Sequence, residues 1–335
     1  MKILTCTSPG SFQYSDQEAP AATKDHAIIR VRRIGICGTD LHAFEGTQPY
    51  FNYPRVLGHE LSGELVDVDG ADGFRKGEIV TIIPYFNCGR CVACRSGTPN
   101  CCVNLKVFGV HIDGGMKEFI SVPSASLVHG DGLPEDALSL IEPLAVGAHG
   151  VRRAAVKRGE FVLVVGAGPI GLGVMEFAKI AGANVIALDI NSQRLSVCDV
   201  PYVIDGSKED VSKKLAEITN GDMAAVVIDA TGSLRAINQS FQYMGHGGRY
   251  VLVGLQKGEI VFSHPEFHKR EATLMSSRNA TRQDFDQVIA ALKSGKVNPL
   301  KYITHRVDFG RVKDEFPGWL DPKSGVIKAV VEIRE

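Results

Sequence analysis

The sequence predicts an α/β protein of two parts, a β-rich domain followed by a doubly wound parallel-sheet domain. Three observations carry that expectation. The first 150 residues or so hold short alternating or β-branched runs broken by glycine (AIIRVRRIGI, GELVDV, EIVTIIP, KEFISVP), the texture of irregular antiparallel sheet. From about residue 153 strands alternate with helical stretches, which is how a parallel sheet with helices on both faces is written. A length of 335 residues also suffices for two domains, each with its own core.

The elements follow in order. FVLVVGAG, from Phe161, is a buried-strand run, and IGLGVMEFAKIAGA is a helix with an apolar face. NVIALDI, AAVVIDATG and RYVLVGL are further strands. Beyond residue 280, DFDQVIAALKSG reads as one more helix, and GVIKAVVEIRE closes the chain in a strand. The apolar segment from Phe161 is long enough to suggest a membrane span. Its closely spaced glycines, Pro169, Glu176 and Lys179 argue for strand, turn and buried helix instead.

Lys+Arg 37 against Asp+Glu 38 gives 37 − 38 = −1, with no basic arm for nucleic acid. MKILTCTSPG is too short an apolar run for a signal peptide. These features point to a soluble cytoplasmic protein, where clustered thiols serve metals rather than disulfides.

Gly166-Ala-Gly168-Pro-Ile170-Gly171 follows a strand and opens a helix, and Asp189 ends the next strand, 18 residues past Gly171. Gly166 permits a tight turn, Gly168 lets backbone approach a pyrophosphate, and Gly171 allows close helix–strand packing. The helix N-terminus supplies free N–H groups to phosphate. Asp189 can accept both ribose hydroxyls and would repel a 2′-phosphate, so NAD is expected over NADP.

Five of the eight cysteines lie between Cys88 and Cys102. Cys88, Cys91 and Cys94 form a double CxxC, and a fourth thiolate returned by the Ser96–Pro99 turn would close a structural zinc site. On spacing alone that fourth ligand is Cys101 or Cys102. A second constellation, GICGTDLH and LGHE, offers Cys37, Thr39, His42, His59 and Glu60. Cys with His suits zinc. Glu142, in the apolar IEPLAVGAHG, is costly to bury unless it meets a cation.

Together these motifs resemble the zinc-dependent medium-chain dehydrogenases over essentially the whole chain. The resemblance rests on GICGTDLH, PRVLGHELSG, CxxCxxCx₇C, IEPLAVGAHG, VVGAGPIG with Asp189, DATG and Thr304–Arg306. It implies a GroES-like catalytic domain (1–152), an NAD-binding Rossmann domain (153–279) and a C-terminal segment (280–335) returning to the first. It implies two zinc ions per subunit. The structural one takes Cys88, Cys91, Cys94 and Cys102, the last preceding an xNL segment, with Cys101 a bystander. The catalytic one takes Cys37, His59 and a third ligand, which in the polyol branch resembles Glu142, with Glu60 an exchanging ligand. Arg194 matches an arginine beside the adenosine. Asp69 stands where a glycine is usual, and the helix after Asp189 looks shorter than in the family.

GVHIDGG, HPEFHKRE and SSRNAT resemble the aldonate branch, bacterial L-galactonate and L-gulonate 5-dehydrogenases. The implied reaction oxidises C5 of a hexonate. The zinc stabilises the alkoxide, Thr39 accepts the alcohol proton, His42 passes it outward, and hydride goes to NAD. Candidates for the substrate carboxylate are His111, Arg278, Asn279 and the Lys269–Arg270 pair, with Arg278 also a cofactor candidate. Polyol or L-threonine dehydrogenase is the alternative, with a zinc-free quinone reductase or a non-catalytic zinc- and NAD-binding regulator behind it. A homodimer or homotetramer is expected, pairing at an edge strand near RYVLVGL.

Overall fold

The computed structural model of the chain describes residues 1–49 and 51–334. It divides into two compact units, Met1–Glu142 with the segment from Thr281 onward, and Pro143–Ala280. The division falls inside the helix Ile141–Arg153 rather than at residue 152.

The first unit is built on a seven-stranded sheet whose centre is the long strand His26–Gly35. That strand pairs antiparallel with Glu60–Val68, with Phe119–Pro123 and with Lys328–Glu332. The last pairing shows why the C-terminal residues belong to this unit: Val330 lies opposite Gly35. The returning segment also supplies Val307, Phe316, Trp319 and Val331 to the same apolar core as Ile29, Leu61 and Val80. Burying each of the Val, Ile, Leu and Phe side chains among them contributes about 1.5–3 kcal/mol. A small hairpin, Tyr85–Phe86 with Lys106–Val107, brackets the cysteine loop. Asp69 replaces the usual glycine without breaking the turn. Gly70 takes the left-handed conformation at φ +69°, and the Asp69 carboxylate accepts the Asp25 N–H at 2.8 Å.

The second unit holds a six-stranded, all-parallel sheet. Its spatial order is Tyr202–Asp205, Asn184–Asp189, Phe161–Val165, Ala224–Asp229, Met244–Leu252, Thr273–Ser276. This is the doubly wound order, in which the chain reverses direction across the sheet at Phe161–Val165. Val162, Leu163 and Val164 are fully buried, as a strand covered on both faces must be. The apolar run that follows is a 12-residue helix, Pro169–Ile180, with Pro169 in its first turn. Among the described residues no helix is long and apolar enough to cross a membrane. The helix after Asp189, Ser192–Leu195, has four residues. One expectation is corrected. The start of RYVLVGL, Arg249 to Leu252, lies in Met244–Leu252, which is flanked on both sides, and the edge beyond it is the short strand Thr273–Ser276.

Candidate metal centres and nucleotide site

In the hairpin lobe the sulfurs of Cys88, Cys91, Cys94 and Cys102 all lie within 4.8 Å of one another. None of these cysteines is in a disulfide. Cys102 is buried while its neighbour Cys101 is exposed and outside the cluster. Backbone N–H groups aim at the sulfurs: Cys88 and Asn104 donate to Cys102 Sγ at 3.3 and 3.4 Å. The N–H groups of Arg90 and Cys91 lower the Cys88 thiol to about 6. Cys94 is pushed up to about 11, by burial first and then by Cys91 and Cys102 beside it. Four sulfurs this close cannot all ionise without a cation among them, so the lobe fits a closed structural zinc site.

The second cluster is assembled from two segments of the same unit, the N-cap of a helix and the start of a strand. Cys37 sits at the N-cap of helix Gly38–Glu45, and its N–H donates to Asp40 Oδ2 at 2.9 Å. The other oxygen of Asp40 accepts the Gly58 N–H at 3.1 Å and stands 3.7 Å from His59 Nδ1. Asp40, itself buried, thereby ties the Cys37 turn to the His59 loop and stands behind the imidazole without hydrogen-bonding it. Gly58, at φ +92°, makes the bend that delivers His59 to the site. Donor atoms of Cys37, His59 and Glu60 lie within 4.8 Å of one another.

Glu142, in the first turn of its helix, is buried outside that triad and accepts a hydrogen bond from Tyr85 Oη. Glu60 is paired instead with Lys328, whose Nζ reaches its two oxygens at 2.8 and 2.7 Å. Burial opposes charge on His59, yet Asp40, Cys37 and Glu142 outweigh it and raise the imidazole well above its usual range. Burial, with Glu60 adding to it, raises Glu142. Three buried carboxylates and a thiol thus gather around His59 and one buried ammonium. His59 Nδ1 makes no hydrogen bond among the described residues. Cys, His and carboxylate are zinc ligands, so the chemistry of this donor set fits a zinc ion.

Thr39 is half-buried. His42 is exposed, with Nδ1 3.3 Å from Glu45 and 3.2 Å from the Thr47 hydroxyl. His111 Nδ1 accepts the Val107 N–H at 3.0 Å. Arg278 is exposed, and Asn279 occupies the left-handed region at φ 55°. Arg270 is committed to Glu266 and to the Met244 carbonyl, while Lys269 is exposed.

In the second unit, Gly166 has φ +99°, and a Cβ there would meet Thr231 Cγ2 at 2.8 Å. A Cβ on Gly171 would lie 1.8 Å from the Gly166 carbonyl oxygen, whereas Gly168 faces open space. The packing glycines and the phosphate-facing glycine are therefore distinct. Ile170 is half-buried in the first turn of the helix. Asp189 accepts the N–H groups of Ala167 and Asn191 at 2.7 and 2.9 Å. Its carboxylate is thus held beside the glycine turn, and Arg194 lies in the short helix that follows.

Two family profiles match this chain, an alcohol dehydrogenase GroES-like domain at residues 23–134 and a zinc-binding dehydrogenase at residues 169–294. L-galactonate-5-dehydrogenase of Escherichia coli K12 is 44% identical over 99% of this chain and 98% of its own length. The chain belongs to the zinc-type alcohol dehydrogenase family. Sorbitol dehydrogenase of Halalkalibacterium halodurans is 32% identical, over 91% of this chain and 92% of its own. Among solved structures, the alcohol dehydrogenase RspB of E. coli CFT073, crystallised with NADH, superposes with a TM-score of 0.92 at 29% identity, covering 99% of each chain. This member of the family is accordingly an oxidoreductase acting on CH–OH groups with zinc and a nicotinamide cofactor.

Sequence reasoning missed Asp40, Tyr85 and Lys328. Lys328 carried a signal: a lysine inside the apolar strand run GVIKAVVE has to find a buried partner.

Proposed function

We propose that this enzyme oxidises the C5 hydroxyl of a six-carbon sugar acid, L-galactonate or L-gulonate, with NAD as acceptor. The observation that carries the reading is the 44% identity to an L-galactonate-5-dehydrogenase along nearly the whole of both chains, joined to two clusters of zinc-type donors.

Cys37, His59 and Glu142 would hold the catalytic zinc, and Cys88, Cys91, Cys94 and Cys102 the structural one. A bound zinc supplies Lewis acidity toward the hydroxyl oxygen, and NAD supplies the hydride acceptor. Asp40 stands behind His59, and Tyr85 holds one oxygen of Glu142 so that the other is free to ligate. Thr39 takes the hydroxyl proton, and exposed His42 hands it to solvent. Gly166, Gly168, Ile170 and Gly171 form the pyrophosphate turn, while Asp189 and Arg194 hold the adenosine. His111, Arg278 and Asn279 are the donors proposed for the substrate carboxylate, with Arg278 as the cation. A homo-oligomer pairing through Thr273–Ser276 would cover an open row of backbone groups. Free thiol clusters suit the cytoplasm.

Deuterium placed at C5 of L-galactonate and L-gulonate tests the chemistry. NADH formed from one of them is expected to carry the label, with a lowered kcat/KM. Unlabelled NADH would place the oxidation at another carbon.

A further inference from the structure

We propose that Asp205 is a second determinant of cofactor choice, because its carboxylate already occupies the donors that the 2′-phosphate of NADP would need. The inference rests on reading Asp189 as the residue that meets the adenosine ribose. Asp189 and Asp205 end adjacent parallel strands and stand side by side in register. The Gly206 N–H donates to the Asp189 carbonyl at 2.9 Å, which ties the turn after Asp205 to the turn after Asp189.

Groups on these two turns converge on the Asp205 carboxylate. They are the Ser192 hydroxyl at 2.7 Å, the Ser207 hydroxyl at 2.5 Å, the Ser207 N–H at 3.0 Å and the Lys208 ammonium at 2.9 Å. The same ammonium reaches the Ser192 hydroxyl at 2.8 Å. Two serine hydroxyls, a backbone N–H and a lysine are the kind of donor set that holds a phosphate group. Here an internal carboxylate fills it. The Ser207 hydroxyl, with Lys208 and Ser192 adding to it, holds the Asp205 carboxyl well below its usual range, so the occupant is charged at neutral pH. The neighbouring amides are taken as well: Gln193 and Arg194 donate to Asn191 Oδ1 at 2.9 and 3.1 Å. Glu209, on the same turn, accepts the Asp205 N–H at 2.9 Å. The ribose of NAD asks for none of these groups, since Asp189 accepts its hydroxyls. A 2′-phosphate would have to displace Asp205 from them and then lie beside the displaced carboxylate. Removing the charge of Asp189 alone therefore leaves the donors occupied.

The test is the ratio of the Kd values for NADPH and NADH, read from nucleotide fluorescence with the full-length, zinc-loaded protein, which requires no substrate. Asp189→Ala is expected to lower the preference for NADH about tenfold. Asp189→Ala/Asp205→Asn is expected to lower it roughly tenfold further, because the freed donors then meet the 2′-phosphate. Adding Lys208→Met to the double variant is expected to remove most of that second change. A merely structural role for Asp205 would weaken both dinucleotides and leave the ratio where Asp189→Ala puts it. That result, or a triple variant no different from the double, overturns the proposal. Should Asp189→Ala/Asp205→Asn fail to fold, Asp189→Ala/Asp205→Ser decides on the same ratio. An unmodified protein that binds NADPH as tightly as NADH contradicts the reading of Asp189 and takes the Asp205 role with it, a result distinct from failure of Asp205 alone.

Discussion

At the residue scale, the difference between Cys101 and Cys102 is one of direction. Adjacent residues point apart, and only Cys102 turns inward to sulfurs already met by backbone N–H groups. Cys102→Ser is expected to lose one zinc per chain and to lower Tm by roughly 5 °C or more, because a closed site contributes folding energy. Cys101→Ser is expected to keep both metals and the original Tm, checked by metal analysis and calorimetry. Asp189 is held by two backbone amides at the mouth of the glycine turn. Asp189→Ala removes a charge that repels a 2′-phosphate, so the preference for NAD over NADP should fall about tenfold, near 1.4 kcal/mol; steady-state kinetics with both cofactors checks it. The ligand types were legible because Cys, His and the glycine turn carry their chemistry in their spacing. The partners were not: Asp40 and Tyr85 are single polar residues whose role exists only once the chain has folded around Cys37, His59 and Glu142.

At the scale of elements, the C-terminal strands are tied to the N-terminal sheet by ions as well as by packing. Asp136, in helix Glu135–Leu138, accepts from Arg306 at 2.7 Å and from Arg33 at 2.9 Å. The Arg306 hydrogen bond, with Arg33 adding to it, holds the Asp136 carboxyl below its ordinary range. A carboxyl depressed in the folded state contributes stability that is present above its unfolded pKa, about 3.9, and is lost as pH falls through the lower folded value. Asp136→Asn should therefore be less stable than the unmodified protein at neutral pH. The gap should close as pH falls below about 4 and stay small throughout, about 1 kcal/mol, since the Arg306 side chain is 44% exposed. Denaturant titrations across that pH range check the sign. Strand Thr273–Ser276 shows where periodicity fails. TLMS is short and largely exposed, so nothing in the sequence marks it as the last strand beyond RYVLVGL. If copies of the chain pair there, Leu274→Lys should shift light scattering from oligomer toward monomer, while an unchanged mass places the contact elsewhere.

At the scale of the whole molecule, the two-part architecture was readable because two periodicities occupy two stretches of chain. The return of the last segment to the first unit was implied only by the family resemblance. Its physical cause is a strand, Lys328–Glu332, that completes the central sheet and carries a lysine to Glu60. One unit thus holds both sets of metal donors, and the other holds the glycine turn with Asp189. What the molecule oxidises depends on the few groups that meet the far end of the substrate, and the central claim is that this end is a carboxylate. The most direct measurement compares kcat/KM for NADH formation from L-galactonate, L-gulonate, D-mannonate, sorbitol and L-threonine. One of the two L-aldonates is expected to exceed sorbitol and L-threonine by roughly 100-fold or more, the discrimination a paired charge supplies over a neutral group. Sorbitol turned over as well as either aldonate would contradict it and make the enzyme a polyol dehydrogenase.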